Sequence, residues 1–256
     1  MRVYVLTQEE PFYIPGMLEH LLARRRDVIG IGLVPGELRP RRLRRYLALM
    51  GPRDFALQSL RFAACREADL AARLVPLGRS FSVAGAARRH GLPCERVASI
   101  DAPSFVESLR ARAVDLIVSI ACPRLLGREL LALPRHGCIN VHGALLPRYQ
   151  GLLPSFWVLA KGEPHTGVTV HLLDEGVDGG AILLQRRVAI RADDTVHSLV
   201  ERSKLETGKH LLVEAIDLIE RGEARPRPID PREASRFSFP DAAAVREFRA
   251  RGRRFV

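Results

Sequence analysis

Long apolar segments are absent from this sequence. No run approaches the roughly 18 consecutive apolar residues that mark a membrane-spanning helix, and no charged stretch leads into an apolar leader. The first residues instead read MRVYVL, which is typical of a β-strand. These absences argue against a membrane-spanning or exported protein, and we expect a cytoplasmic one.

Cysteine is scarce as well, and its spacing gives no metal-binding pattern. The cysteines form no CxxC pair and stand mostly among apolar neighbours, at Cys65, Cys94, Cys122 and Cys138. This pattern favours buried free thiols over disulfides or a zinc site. No other metal-ligand spacing occurs, and no GxGxxG motif follows the first predicted strand. Neither a metal nor that dinucleotide-binding motif is therefore predicted.

Lysine is the third residue type in short supply, although the chain is strongly basic. Only Lys161, Lys204 and Lys209 occur, so arginine supplies nearly all of the 40 basic residues and of the formal net charge of +11. The arginines cluster in segments 24–26, 39–45, 88–89 and 249–254. A codon bias toward arginine explains this composition, and so does an acidic partner such as tRNA or a nucleotide-linked substrate.

The remaining composition is that of an ordinary globular protein. Of the 256 residues, 47% are hydrophobic and 27% charged, which suffices for a sizeable core. Short apolar runs alternate with amphipathic stretches, which predicts an α/β fold with an open, mostly parallel sheet flanked by helices. The predicted strands cover residues 2–7, 27–34, 94–97, 116–120, 137–141, 167–173 and 181–190, and the predicted helices 14–25, 82–90, 103–112, 152–161 and 195–221.

The predicted domain organisation is simple and contains one insertion. Residues 1–222 are expected to form one main domain, and residues 223–256 a C-terminal extension that begins in a segment rich in proline and arginine. Residues 40–77 carry apolar residues at helical spacing, which predicts a helical insertion. Plain packing, a dimer face, a membrane-surface patch and a lid all remain open for this insertion, and a homodimer remains open for the protein.

The block from Cys138 to Gly180 concentrates polar side chains at the end of a predicted strand. Asn140 and His142 stand two apart in that strand, so both side chains point to one face, and the strand runs into a turn with glycine and proline. Open α/β sheets bind their ligands at such carboxyl ends. An isolated Asn-x-His also occurs as a capping or packing pair, so this pair alone predicts only where a site would lie.

The whole block resembles the signature region of one enzyme family, the formyltransferases that use 10-formyltetrahydrofolate. Their pattern is roughly INxHxSLLPxYxG followed by TGVTxHxxxxxxDxG. The chain matches it with INVHGALLPRYQG and then TGVTVHLLDEGVDGG, and the resemblance covers about half of the chain. It implies an enzyme with the family's Rossmann-like fold and with 10-formyltetrahydrofolate as formyl donor. The catalytic residues that it implies are Asn140, His142 and Asp178.

The chemistry of formyl transfer accounts for these three residue types. When an amine attacks the formyl carbon, the carbonyl oxygen becomes an oxyanion and the nitrogen becomes cationic. Asn140 is suited to donate its amide N–H to the oxyanion, and His142 either to donate to the same oxygen or to carry the proton. Asp178 is suited to stand against the imidazole or to accept the proton through a water. The final proton acceptor therefore stays open between His142 and Asp178.

Two further carboxylates, Asp174 and Glu175, share the loop of Asp178. The resemblance selects Asp178, and Gly179 and Gly180 directly after it allow the backbone to approach a ligand closely. On the residues alone, Asp174 is an equal candidate, because acidic residues in loops are usually solvated.

The resemblance also implies which residues hold the pterin ring of the donor, through backbone groups that line an apolar cleft. They lie in the loop before the catalytic strand and in the loop of the aspartate, at Arg124, Leu125, Leu126, Leu173, Asp174, Glu175, Gly176 and Val177. Leu125 and Leu126 also fit ordinary helix core, and Arg124 also fits a cap or a solvated side chain.

Other histidines and aromatic residues near the block are interpreted as structural rather than catalytic residues. His165, His171 and His197 are interpreted as packing or surface residues. Phe156 and Trp157 could stack on a ligand ring, but core packing against the sheet is the favoured interpretation.

The acceptor is the least determined part of the prediction. The family's usual serine before LLP is Ala144 here, so no role can rest on that hydroxyl. Methionyl-tRNA formyltransferases carry a C-terminal barrel that the residues after Pro231 are too few to form. We therefore expect a small-molecule or sugar-nucleotide amine as acceptor, with aminoacyl-tRNA ranked below it. A formyltetrahydrofolate hydrolase and a non-catalytic, arginine-rich RNA-binding protein are the remaining alternatives.

Overall fold

The computed structural model describes residues 1–36, 40–75 and 77–256. Residue 76 of the predicted insertion and Arg39 of the second basic cluster lie outside the described residues. The strands are β1 (Val3–Thr7), β2 (Val28–Leu33), β3 (Cys94–Arg96), β4 (Leu116–Ile120), β5 (Cys138–His142), β6 (Gln150–Gly151), β7 (His165–Leu172), β8 (Ile182–Ala189) and β9 (Arg236–Phe237). The helices are α1 (Ile14–Arg24), α2 (Pro40–Met50), α3 (Pro52–Ala71), α4 (Val83–Arg89), α5 (Pro103–Ala111), α6 (Arg128–Ala132), α7 (Pro154–Ala160), α8 (Val196–Glu201), α9 (Lys209–Glu220) and α10 (Ala242–Ala250).

Seven of these strands form one sheet in the order β3-β2-β1-β4-β5-β7-β8. The strands from β3 to β5 in that order run parallel, whereas β7 pairs antiparallel with both β5 and β8. The prediction of an α/β fold with an open, mostly parallel sheet is therefore confirmed. The antiparallel pair β7–β8 forms one edge of the sheet.

The sheet is covered on both faces, as its continuous apolar strands require. Every residue of β1 and β4 is buried. One face packs against α1 and α9 through residues such as Leu18 and Ile216. The other face packs against α5 through residues such as Phe105 and Leu109. The central strands therefore end between two layers of helices, and their carboxyl ends are the place where polar side chains can meet.

The helix predicted over residues 195–221 is present, but it is not α-helical throughout. Thr195 caps its start: the Thr195 hydroxyl accepts from the Ser198 N–H at 3.1 Å, and the Ser198 hydroxyl oxygen accepts from the Thr195 N–H at 3.0 Å. Between α8 and α9 the chain widens into a π-helical segment, Arg202–Gly208. Gly208 packs against β5 and β7, and a β-carbon there would lie 3.0 Å from the Ser203 carbonyl oxygen. The apolar spacing cannot distinguish this wider turn from an α-helical one.

Replacing Thr195 by alanine is expected to lower the free energy of unfolding by about 1 kcal/mol, because the Ser198 N–H loses its acceptor. The measurement is denaturant unfolding followed by circular dichroism. Thr195→Ser keeps the hydroxyl and is the matched control, with an unfolding midpoint close to that of the wild type. Equal destabilisation in both variants would contradict the capping role.

The insertion is helical, as predicted, but α3 is not part of the core. No residue of α3 is fully buried. Near its start, Asp54 accepts from the Phe255 N–H at 3.0 Å, and near its end Asp69 accepts from the N-cap serine of α4. Between them, Phe62 contacts Phe12 with ring centroids 6.4 Å apart. Helix α3 therefore packs across the loop that follows β1, outside the core, and the choice among the interpretations of the insertion stays open.

The C-terminal residues pack onto α7. The ring of Phe156 stacks on Phe248 at a centroid distance of 4.8 Å and on Phe255 at 5.7 Å. Trp157 lies on Phe237 of β9 at 4.7 Å. Phe156 and Trp157 are therefore packing residues, but the rings that they contact belong to the C-terminal residues rather than to the main sheet. The division of the chain at residue 222 stays a prediction.

None of the helices in the described ranges is long and apolar enough to cross a membrane. The cysteines are free thiols, with Cys138 buried and Cys65, Cys94 and Cys122 partly buried. Burial raises the pKa of the Cys138 thiol to about 12, so this side chain behaves as a small apolar residue. Of the cysteines predicted to be buried, only Cys138 is fully buried.

Candidate active site

Strand β5 lies where the parallel and antiparallel parts of the sheet meet, and both neighbouring strands supply partners for Asn140. Ser119 of β4 stands opposite Asn140 on one side, and His171 of β7 stands opposite it on the other. His142, two residues further along β5, is paired with Thr169. Because residues paired across strands share a face of the sheet, the side chains of Ser119, Asn140 and His171 meet.

A series of hydrogen bonds fixes the amide of Asn140. The Ser119 hydroxyl donates to Asn140 Oδ1 at 3.0 Å, which turns Nδ2 toward His171. Asn140 Nδ2 then donates to His171 Nε2 at 3.2 Å, and His171 Nδ1 donates to the Leu172 carbonyl at 2.8 Å. These contacts require the Nδ1–H tautomer of His171. One N–H of Asn140 is used in this series, and no side chain or backbone group of the described residues accepts from the second, which is therefore available for a ligand.

His142 is buried at the end of β5, with 6% of its surface exposed. Its Nε2 donates to the Tyr149 carbonyl at 2.8 Å, so Nδ1 carries the lone pair of the neutral ring. Nδ1 lies 3.4 Å from Asp178 Oδ2. The basic nitrogen of the ring therefore lies beside a carboxylate, which stabilises a proton that arrives there.

Asp178 is positioned by the backbone of two turns. Its own backbone is left-handed, with φ at 51°, and its Oδ2 accepts from the Gly151 N–H at 2.8 Å. Its carbonyl accepts from the Gln150 side chain at 3.0 Å. Gly180 lets the loop close, because a β-carbon there would lie only 2.0 Å from the Leu172 carbonyl oxygen. The carboxylate thereby lies 3.4 and 3.5 Å from the two imidazoles.

The electrostatics of this cluster keep its two central groups in defined protonation states. Burial lowers the pKa of His142, while Asp178 and the Tyr149 carbonyl oppose that shift, so the ring is neutral at neutral pH. Burial alone would raise the pKa of Asp178, but the two imidazoles in their protonated forms and the Gly151 N–H lower it to about 2. The cluster therefore combines a neutral imidazole with a carboxylate that stays ionised.

The structure brings Asn140, His142 and Asp178 together and leaves Asp174 outside. Asp174 is exposed, and its Oδ1 accepts from the Gly176 N–H at 2.9 Å, which shapes the loop. Asp174 therefore has a local structural role, and the carboxylate of the cluster is that of Asp178. The catalytic roles of the three residues stay predictions.

His171 is the member of the cluster that the sequence interpretation missed. It is 0% exposed and contacts both Asn140 and Asp178, so its interpretation as a packing or surface residue is incomplete. The signal lies in the pairing of strands, because an antiparallel neighbour of β5 brings one of its residues opposite Asn140. His197, in contrast, contacts Tyr13 and Phe12 before α1.

Ala144, the position where the family pattern has serine, is fully buried. Its carbonyl accepts from the Thr169 hydroxyl at 2.6 Å, and the same hydroxyl oxygen accepts from the Leu146 N–H at 3.1 Å. The loop after β5 is therefore held through its backbone by Thr169. A serine hydroxyl at position 144 is not needed to hold it.

Residues 87–216, about half of the chain, match the family model described as Formyl transferase. The chain belongs to the formyl transferase family. The family assignment made from the signature residues is thereby confirmed.

Curated relatives of this formyl transferase family member include two bacterial methionyl-tRNA formyltransferases. That of Citrifermentans bemidjiense is 37% identical over 193 residues, which are 72% of this chain and 60% of the relative. That of Anaeromyxobacter dehalogenans (strain 2CP-C) is 44% identical over 149 residues, which are 58% of this chain and 47% of the relative. The chain therefore spans only 60% and 47% of the lengths of these two relatives.

Solved structures share the fold along most of the chain. A sugar N-formyltransferase from Shewanella sp FDAARGOS_354 matches with a TM-score of 0.62 at 18% identity, over 98% of this chain and 87% of that one. Glycinamide ribonucleotide transformylase 1 from Symbiobacterium toebii matches with a TM-score of 0.60 at 23% identity, over 90% and 94% of the two chains. These matches show that the protein has the Rossmann-like formyltransferase fold that the sequence predicts.

The two loops that the formyl transferase resemblance assigns to the folate lie side by side. Arg128, at the start of α6, forms an ion pair with Glu175 at 2.8 Å, which links one loop to the other. Leu126 is buried in an apolar cluster against which Leu173 also packs. Leu125 is 58% exposed. The core interpretation therefore holds for Leu126 but is wrong for Leu125, and Leu126 lies in a loop rather than a helix.

The other predicted folate contacts lie at the surface of the same two loops. Arg124 and Gly176 are exposed, and Val177 is partly buried. All eight folate contacts stay predictions. Among residues 1–36, 40–75 and 77–256, no group of His, Cys, Asp and Glu side chains has the arrangement to hold a metal ion.

Proposed function

We propose that this protein transfers a formyl group from 10-formyltetrahydrofolate to a primary amine. The observation that carries the proposal is the convergence of Asn140, His142 and Asp178 at the end of β5, in a member of the formyl transferase family. An amide donor, a neutral imidazole and an ionised carboxylate are the groups that acyl transfer to an amine needs. 10-Formyltetrahydrofolate supplies the activated formyl group when it is bound.

The loops beside the cluster fit a flat apolar ring with polar edges. The exposed side chain of Leu125 and the partly buried side chains of Leu173 and Val177 offer apolar walls. Gly176 and Gly179 lack side chains, so the backbone of the loop can approach a ring edge and bond it. Leu125, Leu173 and the backbone of residues 174–177 would therefore hold the donor.

Asn140 would act on the formyl oxygen. Its Oδ1 is bonded by Ser119, so Nδ2 faces the cluster, with one N–H on His171 and the other available. A hydrogen bond from this N–H strengthens as the oxygen gains negative charge. Asn140 would therefore stabilise the transition state more than the bound substrates.

Of the two candidates for the final proton acceptor, the geometry favours His142. Its Nδ1 carries the lone pair of a neutral ring and lies 3.4 Å from Asp178. Asp178, with a pKa of about 2, is a weak base at neutral pH. We therefore assign the proton of the attacking amine to His142 Nδ1. Asp178 would then stabilise the imidazolium that forms.

This assignment predicts that activity persists to a lower pH than an ordinary histidine base would allow. The neutral form of His142 is the active one, and burial lowers its pKa below the ordinary value of about 6.5. As the pH falls through that lowered pKa, the ring becomes protonated and kcat decreases. The acid limb of the kcat profile should therefore lie below about pH 6.5.

The acceptor itself provides the control for this pH profile. Two acceptor amines with different pKa values should give the same acid limb, because the limb belongs to the enzyme. A limb that moves with the pKa of the amine would instead report titration of the substrate and contradict the role of His142.

As acceptor we propose a small-molecule or sugar-nucleotide amine, the class expected from the sequence. Helix α3 supports it, because this helix is fastened at both ends across the loop after β1, and we infer that it leaves less room there for a macromolecular acceptor. Aminoacyl-tRNA is a second candidate. It is favoured by relatives named methionyl-tRNA formyltransferase at 37% and 44% identity.

The experiment that tests the function follows release of tetrahydrofolate from 10-formyltetrahydrofolate in the presence of single acceptors. The acceptors are aminosugar nucleotides, glycinamide ribonucleotide and methionyl-tRNA. We expect tetrahydrofolate release that depends on one amine and is lost in His142→Ala. Release of formate without any amine would identify a hydrolase, and salt-sensitive RNA binding without binding of a folate analogue would favour the RNA-binding alternative.

A further inference from the structure

A cavity of about 460 Å³ lies between the α2–α3 turn and the C-terminal residues, and no residue of the catalytic cluster or of the folate loops lines it. One wall is the turn from Met50 to Asp54, and the other is formed by residues 248–255. We call it the arginine pocket, after the arginines that line it, which are Arg53, Arg249, Arg253 and Arg254.

Three of these arginines have no partner to balance their charge. In the part of the chain that the structure describes, the side chains of Arg53, Arg249 and Arg254 form neither a hydrogen bond nor an ion pair. Guanidinium groups with donors left unpaired at a cavity are ready to bind an anion, because each offers several N–H groups in a planar fork.

The fourth arginine and the carboxylate of the wall do not neutralise the pocket. Arg253 donates through Nη1 to backbone carbonyls in segment 191–194, and these carry no net charge. Asp54 is the carboxylate that lines the cavity within the described residues, and it already accepts from the Phe255 N–H. Among the residues that line the pocket, four guanidinium groups therefore stand against one carboxylate. The net positive charge attracts an anionic ligand.

The turn and the C-terminal residues approach each other closely at the pocket. Gly51 has φ at +82°, and a β-carbon there would lie 2.9 Å from a guanidinium nitrogen of Arg249. The glycine thus lets this guanidinium lie against the turn. Phe248 and Phe255, buried and stacked with α7, form an apolar base. The N-terminus of α3 begins in the wall and adds positive potential.

We propose that the arginine pocket binds a phosphorylated small molecule through a pyrophosphate or phosphate group, at a site separate from the catalytic cluster. Guanidinium groups bond phosphate oxygens in pairs, and four of them match the many oxygens of a pyrophosphate. The cavity volume lies in the range of small-ligand sites. The proposal does not rest on formyl transfer, so failure of one does not decide the other.

Isothermal titration of the full chain at low ionic strength tests this proposal, with inorganic pyrophosphate, a nucleoside diphosphate and a short single-stranded RNA as probes. We expect saturable binding of pyrophosphate that weakens with salt. Tighter binding of the nucleoside diphosphate would identify a nucleotide as ligand, and equal affinity would identify the pyrophosphate group alone. No binding of either, or binding of the RNA alone, would overturn the proposal.

Two double variants of equal charge distinguish binding in the arginine pocket from nonspecific attraction of anions to a basic protein. The double variant Arg249→Gln with Arg254→Gln should weaken pyrophosphate binding by roughly ten-fold for each arginine lost. Arg110→Gln with Arg221→Gln removes the same charge elsewhere and should bind like the wild type. Asp54→Asn keeps an acceptor for the Phe255 N–H and should tighten binding. Equal weakening in both double variants, at unchanged unfolding midpoints, would overturn the site.

Discussion

Asn140→Asp is expected to lower kcat for formyl transfer by roughly 10²–10³-fold, the loss typical of one oxyanion donor. The substitution is nearly isosteric and keeps the oxygen that accepts from Ser119. It removes the Nδ2 donor and adds a second carboxylate near Asp178, so the developing oxyanion meets repulsion instead of a hydrogen bond. The measurement is tetrahydrofolate release at saturating donor and acceptor.

Ser119→Ala is the control for the orientation of this amide. It leaves the Asn140 donor in place but removes the hydrogen bond that turns it toward the cluster. We expect a loss in kcat of roughly five-fold, as for one neutral hydrogen bond. If Asn140→Asp had the same kcat as Ser119→Ala, the Asn140 amide would not act on the oxyanion.

Asp178→Asn should lower kcat by roughly 10²–10⁴-fold, in the range of proton-transfer groups. The imidazolium that forms on His142 loses its counter-charge 3.4 Å away. The variant should also move the acid limb of the remaining activity to lower pH, because Asp178 raises the pKa of His142 against the effect of burial. A reduced kcat with an unmoved limb would contradict the coupling of the two residues.

Asp178 also gives a readout that does not depend on activity. Its folded-state pKa is about 2, below the ordinary value of about 3.9. A carboxyl whose pKa is lowered by folding stabilises the protein above its ordinary pKa, and this contribution is lost as the pH falls toward the folded value. The difference in unfolding free energy between wild type and Asp178→Asn should therefore shrink between about pH 4 and pH 2.

Asp174→Asn is the matched control in the same loop. Asp174 is exposed, and within the loop its side chain accepts a hydrogen bond from the Gly176 N–H. An asparagine oxygen can accept the same hydrogen bond. We expect kcat within about two-fold of the wild type. A loss of kcat as large as that of Asp178→Asn would contradict the assignment of the catalytic role to Asp178 alone and would make Asp174 a candidate again.

The strands of the main sheet could be predicted because most are buried on both faces. Runs such as VYVLT in β1 and LIVSI in β4 leave little alternative to a central strand. The short pair of β6 with β9 was not predictable, since two residues carry no period. The π-helical segment was not predictable either, because its apolar spacing also fits an α-helix.

Some residues of the candidate site were predictable from local sequence pattern, whereas others depend on tertiary structure. Strand spacing, which is local, predicts the place of Asn140 and His142, although their catalytic roles came from the family resemblance. Asp178 needed the family resemblance, because its place depends on a left-handed turn and on the Gly151 N–H. His171 was missed because it reaches Asn140 only through the antiparallel pairing of β7 with β5. Spacing along one strand says nothing about the partner across it.

The register between β5 and β7 limits how the chain length can vary in this protein. His171 stands opposite Asn140 in the present register, and its neighbours along β7 are Val170 and Leu172. A shift of β7 by one residue against β5 would turn an aliphatic side chain toward Asn140 and remove an imidazole from the cluster. Because β7 is paired with both β5 and β8, a length change in segment 161–164 preserves the cluster only where the turn absorbs it without moving the strand. Grafts and deletions in a redesign of this protein should therefore leave that turn intact.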